Sequence, residues 1–346
     1  MTHPASILLT GGAGYIGSHT FVALAQAGFT PVILDDFSTS NRAVLNRLQR
    51  ITSQPVLCQQ GSVADRVLVH DLMQRHSIAA VIHFAGFKAV GESVAQPLKY
   101  YDNNLGGMMA LLRAMERTPC RTLVFSSSAT VYGDPASLPI TENFPRSHTN
   151  PYGHTKLVCE DMLAAVRESN PAWRTGVLRY FNPTGAHPSG LIGEDPTGLP
   201  NNLMPYVTQV AVGKRPFLNI YGQDYATPDG TGVRDYIHIQ DLAQAHVAAV
   251  QALLKGADSF TVNVGIGQGH SVLDVVRAFE QASGKPVPYR FAARRAGDVA
   301  QCYADASLAK RLLNWHATHT LAAMCADAWR WQSNNPDGYA NEPASV

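Results

Sequence analysis

Short apolar runs and amphipathic stretches alternate along the first half of this chain. Ser6 to Thr10, Pro31 to Leu34, Pro55 to Gln59, Ala79 to Phe84 and Arg121 to Ser127 have the length and composition of strands. Between them, apolar positions recur at helical spacing through Ala27, over 64–76 and from Pro97 to Glu116. A further helix is predicted to start at Pro151, where Asn150 is a good N-cap and proline suits the first turn, and to stop before Asn170-Pro171. Strands alternating with helices of this length make an α/β fold whose parallel sheet is wound on both faces. Ligands of such sheets lie beyond the carboxyl ends of the strands, and the unusual residues of this sequence collect there.

Beyond Tyr180 the alternation breaks down. Glycine and proline crowd Asn182 to Pro200, a helix is expected over 201–212, and turn residues return from Gly222 to Gly232. Arg234 to His238 and Phe260 to Val264 read as strands that rejoin the sheet region, with a helix over 239–254 between them. Helices over 271–283 and Leu321 to Trp331, with the segment Tyr289 to Asp305, complete the C-terminal part. The pattern predicts two interleaved units: residues 1–181 with about 234–264, and a smaller α/β substrate lobe from about 182–233 with 265–346. No internal repeat, low-complexity tract or linker separates them.

The first strand runs into Gly11-Gly12-Ala13-Gly14-Tyr15-Ile16-Gly17 and then into a helix. Missing side chains in such a turn let backbone amides approach a pyrophosphate at a helix N-terminus. The second strand ends on Asp35, where an acid accepts from the adenosine ribose hydroxyls and repels a 2′-phosphate. The combination predicts a Rossmann-like domain that takes NAD rather than NADP.

On the helix that starts at Pro151, Tyr152 and Lys156 are four apart and share a face. Bringing a phenol from its ordinary pKa to neutrality takes roughly 4 kcal/mol. An ammonium about 5 Å away supplies on the order of 3 kcal/mol, so Lys156 with a second positive charge would make Tyr152 a usable base. An ordinary amphipathic helix could carry the same spacing. Ser128, after the fifth strand, lies where a hydroxyl could share a proton with Tyr152, although serine runs are also common turn material.

Composition narrows the classes. Apolar residues make up 45% and charged residues 15% at a formal net charge of +1, which suggests neither disorder nor a nucleic-acid partner. Five cysteines, odd in number and never spaced as C-x-x-C, argue against a disulfide scaffold and for a reducing compartment. No apolar run reaches membrane-spanning length and no signal segment is visible, so a soluble cytoplasmic protein without membrane contact is expected. The thirteen histidines show no metal-ligand spacing, and His83 reads as a satisfied core histidine; no metal is expected.

The glycine turn, Ser128 and the Tyr152–Lys156 pair resemble the extended short-chain dehydrogenase/reductase superfamily. Within it, His83 to Ser93, Tyr100 to Asn104, Arg179 to Pro183 and Pro200 to Pro205 resemble the UDP-glucose 4-epimerases, and the likeness runs from about residue 6 to residue 340. This resemblance implies an isomerase of galactose metabolism that inverts C4 of UDP-glucose and UDP-galactose through a 4-keto sugar, with NAD as cofactor. Tyr152 would be the base, Lys156 would lower its pKa and hold the nicotinamide ribose, and Ser128 would bind the reacting oxygen.

Further cofactor contacts implied are Gly11, Gly14, Tyr15, Ile16, Gly17, Asp35, Ser40, Ser62, Val63, Phe84, Ala85, Gly86, Lys88, Asn103, Ser126 and Tyr180. For the UDP-sugar they are Lys88, Ser128, Tyr152, Phe181, Asn182, Asn202, Leu203, Tyr221, Arg234, Arg295, Asp298 and Cys302. Arginines suit the diphosphate because their planar forks bind its oxygens in pairs. Helices over 97–116 and 151–169 resemble those that pair subunits in family dimers, so a homodimer is expected, although either helix could merely be core.

Sugar-nucleotide dehydratases and decarboxylases share the fold but place a carboxylate just after the serine or threonine of the fifth-strand motif. Here Ala129 and Thr130 follow Ser128, which disfavours both. A regulator that only senses the dinucleotide would have no need of Tyr152, Lys156 and Ser128 together. Two departures bear on detail. Gly61-Ser62 stands where the family usually has Gly-Asp, whose acid meets adenine, so weaker NAD binding is expected. Cys302 stands where many bacterial members have tyrosine, which opens space for an N-acetyl group at sugar C2.

Overall fold

A computed structural model of the protein describes residues 4–295 and 297–340. The first half runs β1 (Ser6–Thr10), α1 (Tyr15–Gln26), β2 (Thr30–Asp35), α2 (Ala43–Thr52), β3 (Leu57–Gln60), α3 (Arg66–Arg75) and β4 (Ile78–His83). It continues with α4 (Val90–Ala95), α5 (Pro97–Tyr100), α6 (Gly106–Met115), β5 (Thr122–Ser128), α7 (Pro151–Ser169) and β6 (Arg174–Tyr180). The helix expected from Pro97 to Glu116 is interrupted by one wide π-type turn over Tyr101–Leu105, which leads into the helix-weakening pair Gly106-Gly107.

The second half holds β7 (Asn182–Thr184), α8 (Leu203–Ala211), β8 (Leu218–Tyr221), β9 (Val233–Arg234), β10 (Tyr236–His238), α9 (Ile239–Leu254) and β11 (Phe260–Val264). It ends with β12 (His270–Ser271), α10 (Val272–Ser283), β13 (Tyr289–Ala292), β14 (Gln301–Cys302), α11 (Ser307–Leu313) and α12 (Leu321–Asn334).

Seven parallel strands form the central sheet in the order β11-β6-β5-β4-β1-β2-β3. Successive side chains of a strand face opposite ways, and the core divides accordingly. Ile7, Leu9 and Ile33 pack with Phe21 of α1 and Val247 of α9, whereas Leu8, Val81 and Phe125 pack with Leu111 of α6 and Leu163 of α7. This is the doubly wound α/β architecture that the alternation predicts.

Phe260–Val264 rejoins the sheet as its edge strand, as expected, but Tyr236–His238 does not; it pairs with β7 in a separate two-stranded sheet. The chain is held there by Asp235, whose buried carboxylate accepts from the amides of Ile266, Gly267 and Ala304. The second half has a separate core cluster, in which Val207, Ile220, Val275, Phe279 and Met324 meet. Its last segment returns to the sheet: Ala309, Leu313, Trp331 and Tyr339 share a core with α1 and α9, and Arg47 of α2 lies over the rings of Trp331 and Tyr339.

Candidate active site

β5, β4 and β1 are neighbours in the parallel sheet, so their carboxyl ends lie side by side, and each leads into part of the candidate site. Gly11 has φ +71°, and a Cβ there would stand 2.8 Å from the Ala85 nitrogen; one at Gly17 would stand 2.5 Å from the Gly11 carbonyl oxygen. These two glycines are required by the packing of the turn itself. Gly14 is different, because a Cβ there would meet only the Gly11 oxygen, at 3.3 Å. It is the N-cap of α1, and no side chain caps that end and no acid lies in the first turn. Leaving Gly14 bare therefore serves close approach of an outside group to the amides of Tyr15, Ile16 and Gly17, as a pyrophosphate needs.

Asp35 completes this half. Its Oδ2 accepts from Ala13 N at 2.9 Å, and its Oδ1 from Phe37 N at 2.9 Å and Ser40 Oγ at 2.8 Å. Burial raises its pKa and these three donors oppose the rise. The turn and Asp35 are thus one unit, and Ser40 joins it through Asp35. The residues present fit a dinucleotide. Tyr15 closes the turn against the lobe by donating to the Gly185 carbonyl at 2.7 Å.

Val63 is buried, but Ser62 is exposed, and its Oγ accepts from Ala64 N at 3.2 Å. Asp65 does not replace the missing acid, because its Oδ1 is the cap of α3 and accepts from Val67 N and Leu68 N, each at 3.1 Å. After β4, the amides of Phe84 and Ala85 both donate to the Thr10 carbonyl. Gly86 lies against Asn104, a buried residue of the wide turn that belongs to the Tyr100 to Asn104 motif but is not among the expected contacts. Asn104 Oδ1 accepts from Phe87 N at 2.9 Å and from Asn103 Nδ2 at 3.0 Å, while its Nδ2 donates to the Phe87 carbonyl and to Thr155 Oγ1. It ties the loop that carries Lys88 to the helix that carries Tyr152. The signal was present as the unusual Asn103-Asn104 pair before Gly106.

Tyr152 and Lys156 are both buried on the first two turns of α7, which begins where Asn150 Oδ1 accepts from Gly153 N at 2.9 Å. Lys156 Nζ donates to the Ser126 carbonyl at 2.8 Å and lies 6.0 Å from the centre of the Tyr152 ring. Burial pulls its pKa down to about 8, with Cys159 and Glu160 opposing. Tyr152 is pushed up to about 12 by burial, against a hydrogen bond with Ser128. The expected net depression is thus not found: withdrawing the phenolate from water costs more than the hydrogen bond with Ser128 returns. In the protein alone the pair at neutral pH is a phenol beside an ammonium, so service as a base needs the phenolate form, which a further positive charge close by would favour.

Around it, Ser126 Oγ meets His246 Nε2 at 2.9 Å, while His246 Nδ1 donates to the Leu242 carbonyl at 2.8 Å. Tyr180, half-buried beside Ser126 and Tyr152, has its pKa raised by withdrawal from water. His83 is a core histidine, with Nδ1 2.7 Å from Thr10 Oγ1 and its ring stacked on Phe125.

The residues expected to bind the UDP-sugar form three groups. Lys88 Nζ and Asn202 Nδ2 both donate to Glu194 Oε1, at 3.2 and 2.6 Å, so an acid missed in the sequence joins the loop after β4 to the start of α8 at Leu203. Arg295 Nε donates to Asp298 at 2.8 Å with its guanidinium over the Tyr221 ring. Arg234 faces the same buried Tyr236 as Arg295, and both oppose the burial that pushes that phenol up to about 12. Ala296, between Arg295 and Gly297, lies outside the described residues. Cys302 pairs with Arg234 across β14 and β9 and packs on the cluster of Val131, Tyr132 and Phe181. Asn182 opens β7, its amide bonded to the Asp235 carbonyl. Among the described residues no group of three His, Cys, Asp or Glu side chains could hold a metal ion, and no helix is long and apolar enough to cross a membrane.

Residues 8–328 match the family model described as GDP-mannose 4,6 dehydratase. The chain is 56% identical over 334 residues to the UDP-glucose 4-epimerase of Bacillus subtilis (strain 168), covering 96% of this chain and 98% of that one. Among solved structures it is similar to a UDP-glucose 4-epimerase from Stenotrophomonas maltophila with bound NAD and formylated UDP-arabinopyranose, at 50% identity and TM-score 0.94, over 96% and 99% of the two chains. It is also similar to a UDP-glucose 4-epimerase from Bifidobacterium longum in complex with NAD+ and UDP, at 49% identity and TM-score 0.92, over 96% and 100%.

Proposed function

Since this chain belongs to the UDP-glucose 4-epimerases of the extended short-chain dehydrogenase/reductase superfamily, we propose that it interconverts UDP-glucose and UDP-galactose by inverting sugar C4, as an NAD-dependent isomerase of galactose metabolism. The observation that carries the mechanism is the buried convergence of Ser128, Tyr152 and Lys156 at the end of β5. When bound, NAD would supply the hydride acceptor and donor that inversion at C4 requires and would bring the positive charge of its nicotinamide to the site.

The glycine turn, Asp35, Asn103 and the loop from Phe84 to Lys88 would hold the cofactor. Tyr152 takes the proton of the 4-hydroxyl, and Ser128 hydrogen-bonds the same oxygen and passes the proton between them. Lys156 stays an ammonium at neutral pH, fixed to Ser126, and together with the positive charge of a bound nicotinamide would favour the phenolate of Tyr152. Asn182, Asn202, Arg234 and Arg295 hold the diphosphate, and Tyr221 with Asp298 the uridine. Residues 1–181 with about 234–264 would serve the cofactor, and the remainder the UDP-sugar. The nucleotide is held firmly so that the hexose can turn over.

The absence of an acid at Ala129 and Thr130 favours epimerisation over the elimination performed by dehydratases, even though the matching family model carries a dehydratase description. Cys302, small and set beside Phe181, favours N-acetylated UDP-hexoses as additional substrates. Exposed Val90, Val94, Leu98 and Met109 on α4 to α6 support a homodimer, for which velocity sedimentation is the check. Incubation with UDP-galactose and assay for UDP-glucose tests the activity; stoichiometric NADH released into solution would make the protein a dehydrogenase instead.

A further inference from the structure

The three serines at the end of β5 meet three successive turns of α7. Ser128 hydrogen-bonds with Tyr152, the Ser126 carbonyl accepts from Lys156 at 2.8 Å, and Ser127 Oγ donates to Glu160 Oε1 at 2.6 Å. Tyr152, Lys156 and Glu160 follow one another at intervals of four and form a single stripe facing the strand. The third member has no part in the chemistry proposed above, yet it is only 5% exposed.

A carboxylate buried to that degree needs full compensation. Arg179 of β6 supplies it through a two-pronged contact, Nε to Oε1 at 3.0 Å and Nη2 to Oε2 at 2.6 Å, and Arg146 adds a longer one at 3.4 Å. The remaining Arg179 nitrogen donates to Tyr132 Oη at 2.9 Å, and Tyr132 donates in turn to Asn263 of β11 at 2.6 Å. The network therefore crosses from α7 to three adjoining strands. Buried ion pairs are poor stabilisers compared with apolar packing of the same volume, but the planar fork of arginine fixes distance and orientation.

We propose that Glu160, clamped by Arg179 and Ser127, is a positioning residue for Tyr152 and Lys156, setting the register of α7 against β5 and keeping Lys156 charged. The proposal rests on the reading of that pair as the catalytic one. The titratable groups facing Lys156 are Tyr152, Cys159 and Glu160 on its own helix and His83 on β4. Tyr152 and Cys159 are each pushed up to about 12, and His83 is pulled down to about 3, so all three are neutral at pH 7. Glu160 is the anion of the set, partly offset by its partner Arg179.

Three variants test this: Ser127→Ala, Glu160→Gln, and the double replacement Glu160→Leu with Arg179→Met. For each, the melting temperature, bound NAD, and the pH dependence of kcat and KM for UDP-galactose are measured. Glu160→Gln is expected to lower kcat on the order of 10²-fold, the scale of a misplaced catalytic group, with KM unchanged and the alkaline limb moved to lower pH. Ser127→Ala should show a smaller loss in the same direction. The double variant should regain the wild-type melting temperature while kcat stays low and the limb stays shifted.

A double variant with wild-type stability, kcat and pH profile would mean that the network is only structural, and would overturn the proposal. Should the Glu160 variants fail to fold, Ser127→Ala decides alone, and an unchanged kcat and profile there overturns it equally. A wild type inert toward UDP-galactose overturns the parent reading; an active wild type whose variants match it overturns this one alone.

Discussion

Lys156 donates to the carbonyl of Ser126 at 2.8 Å, while the centre of the Tyr152 ring lies 6.0 Å from the same nitrogen. The lysine is fixed to the end of β5, within reach of the phenol only through space. Because burial pulls its pKa down to about 8, its charge is present below that pH and lost above it. The profile of kcat/KM should therefore fall on the alkaline side near pH 8. Lys156→Met should remove that fall and raise the acidic limb, since the phenolate loses its nearest cation. An alkaline limb that survives in this variant assigns the fall to another group.

Tyr152→Phe removes the proton acceptor and leaves the ring to pack. Folding and NAD content should be unchanged by circular dichroism and by absorbance of the released nucleotide. Turnover should drop by at least ~10²-fold, the scale of a lost general base. Retention of most of the activity would move the base to another residue.

Cys302 lies on the cluster that contains Phe181, so a phenol ring in its place would fill the space proposed for the N-acetyl group. Cys302→Tyr is expected to keep UDP-galactose turnover and lose most turnover of UDP-N-acetylglucosamine. A wild type inert toward the N-acetyl sugar, or a variant that turns it over undiminished, contradicts the pocket argument and leaves the epimerase reading standing.

Ser62→Asp should restore an acid beside the adenine site that Asp65, committed to capping α3, does not supply. An exposed charged hydrogen bond adds roughly 1 kcal/mol, about fivefold in the dissociation constant. Titration of the stripped protein with NAD measures it. Equal affinity in both proteins shows that adenine makes no use of this position.

Local signals carried much of this molecule. The strand that feeds Gly11, the cap at Asn150 and the acid at the end of β2 are all readable within a few residues, and the structure holds them as expected. Three helices were not legible for a common reason. α2, α4 and α11 follow Arg42, Ala89 and Ala306, none of which caps the helix with its side chain, and α4 and α11 are only 6 and 7 residues long, so the start signal is missing from all three. The remainder is long-range. Glu194 reaches Lys88 across 106 positions, and Arg47 reaches Asn335 across 288. Such pairs are set by packing that no local pattern encodes. Even the chemistry of Tyr152 needed the fold, because spacing reveals the nearby lysine and only burial reveals the larger opposing effect.

The most direct test of the account follows a label through one turnover. UDP-galactose carrying deuterium at sugar C4 is incubated with the protein in ordinary water, and the UDP-glucose formed is analysed by mass and by proton resonance. Removal of hydride from C4 and its return to the opposite face predict that the deuterium stays at C4 of the product, with no NADH accumulating in solution. Deuterium lost to water, or NADH released in step with product, would contradict it.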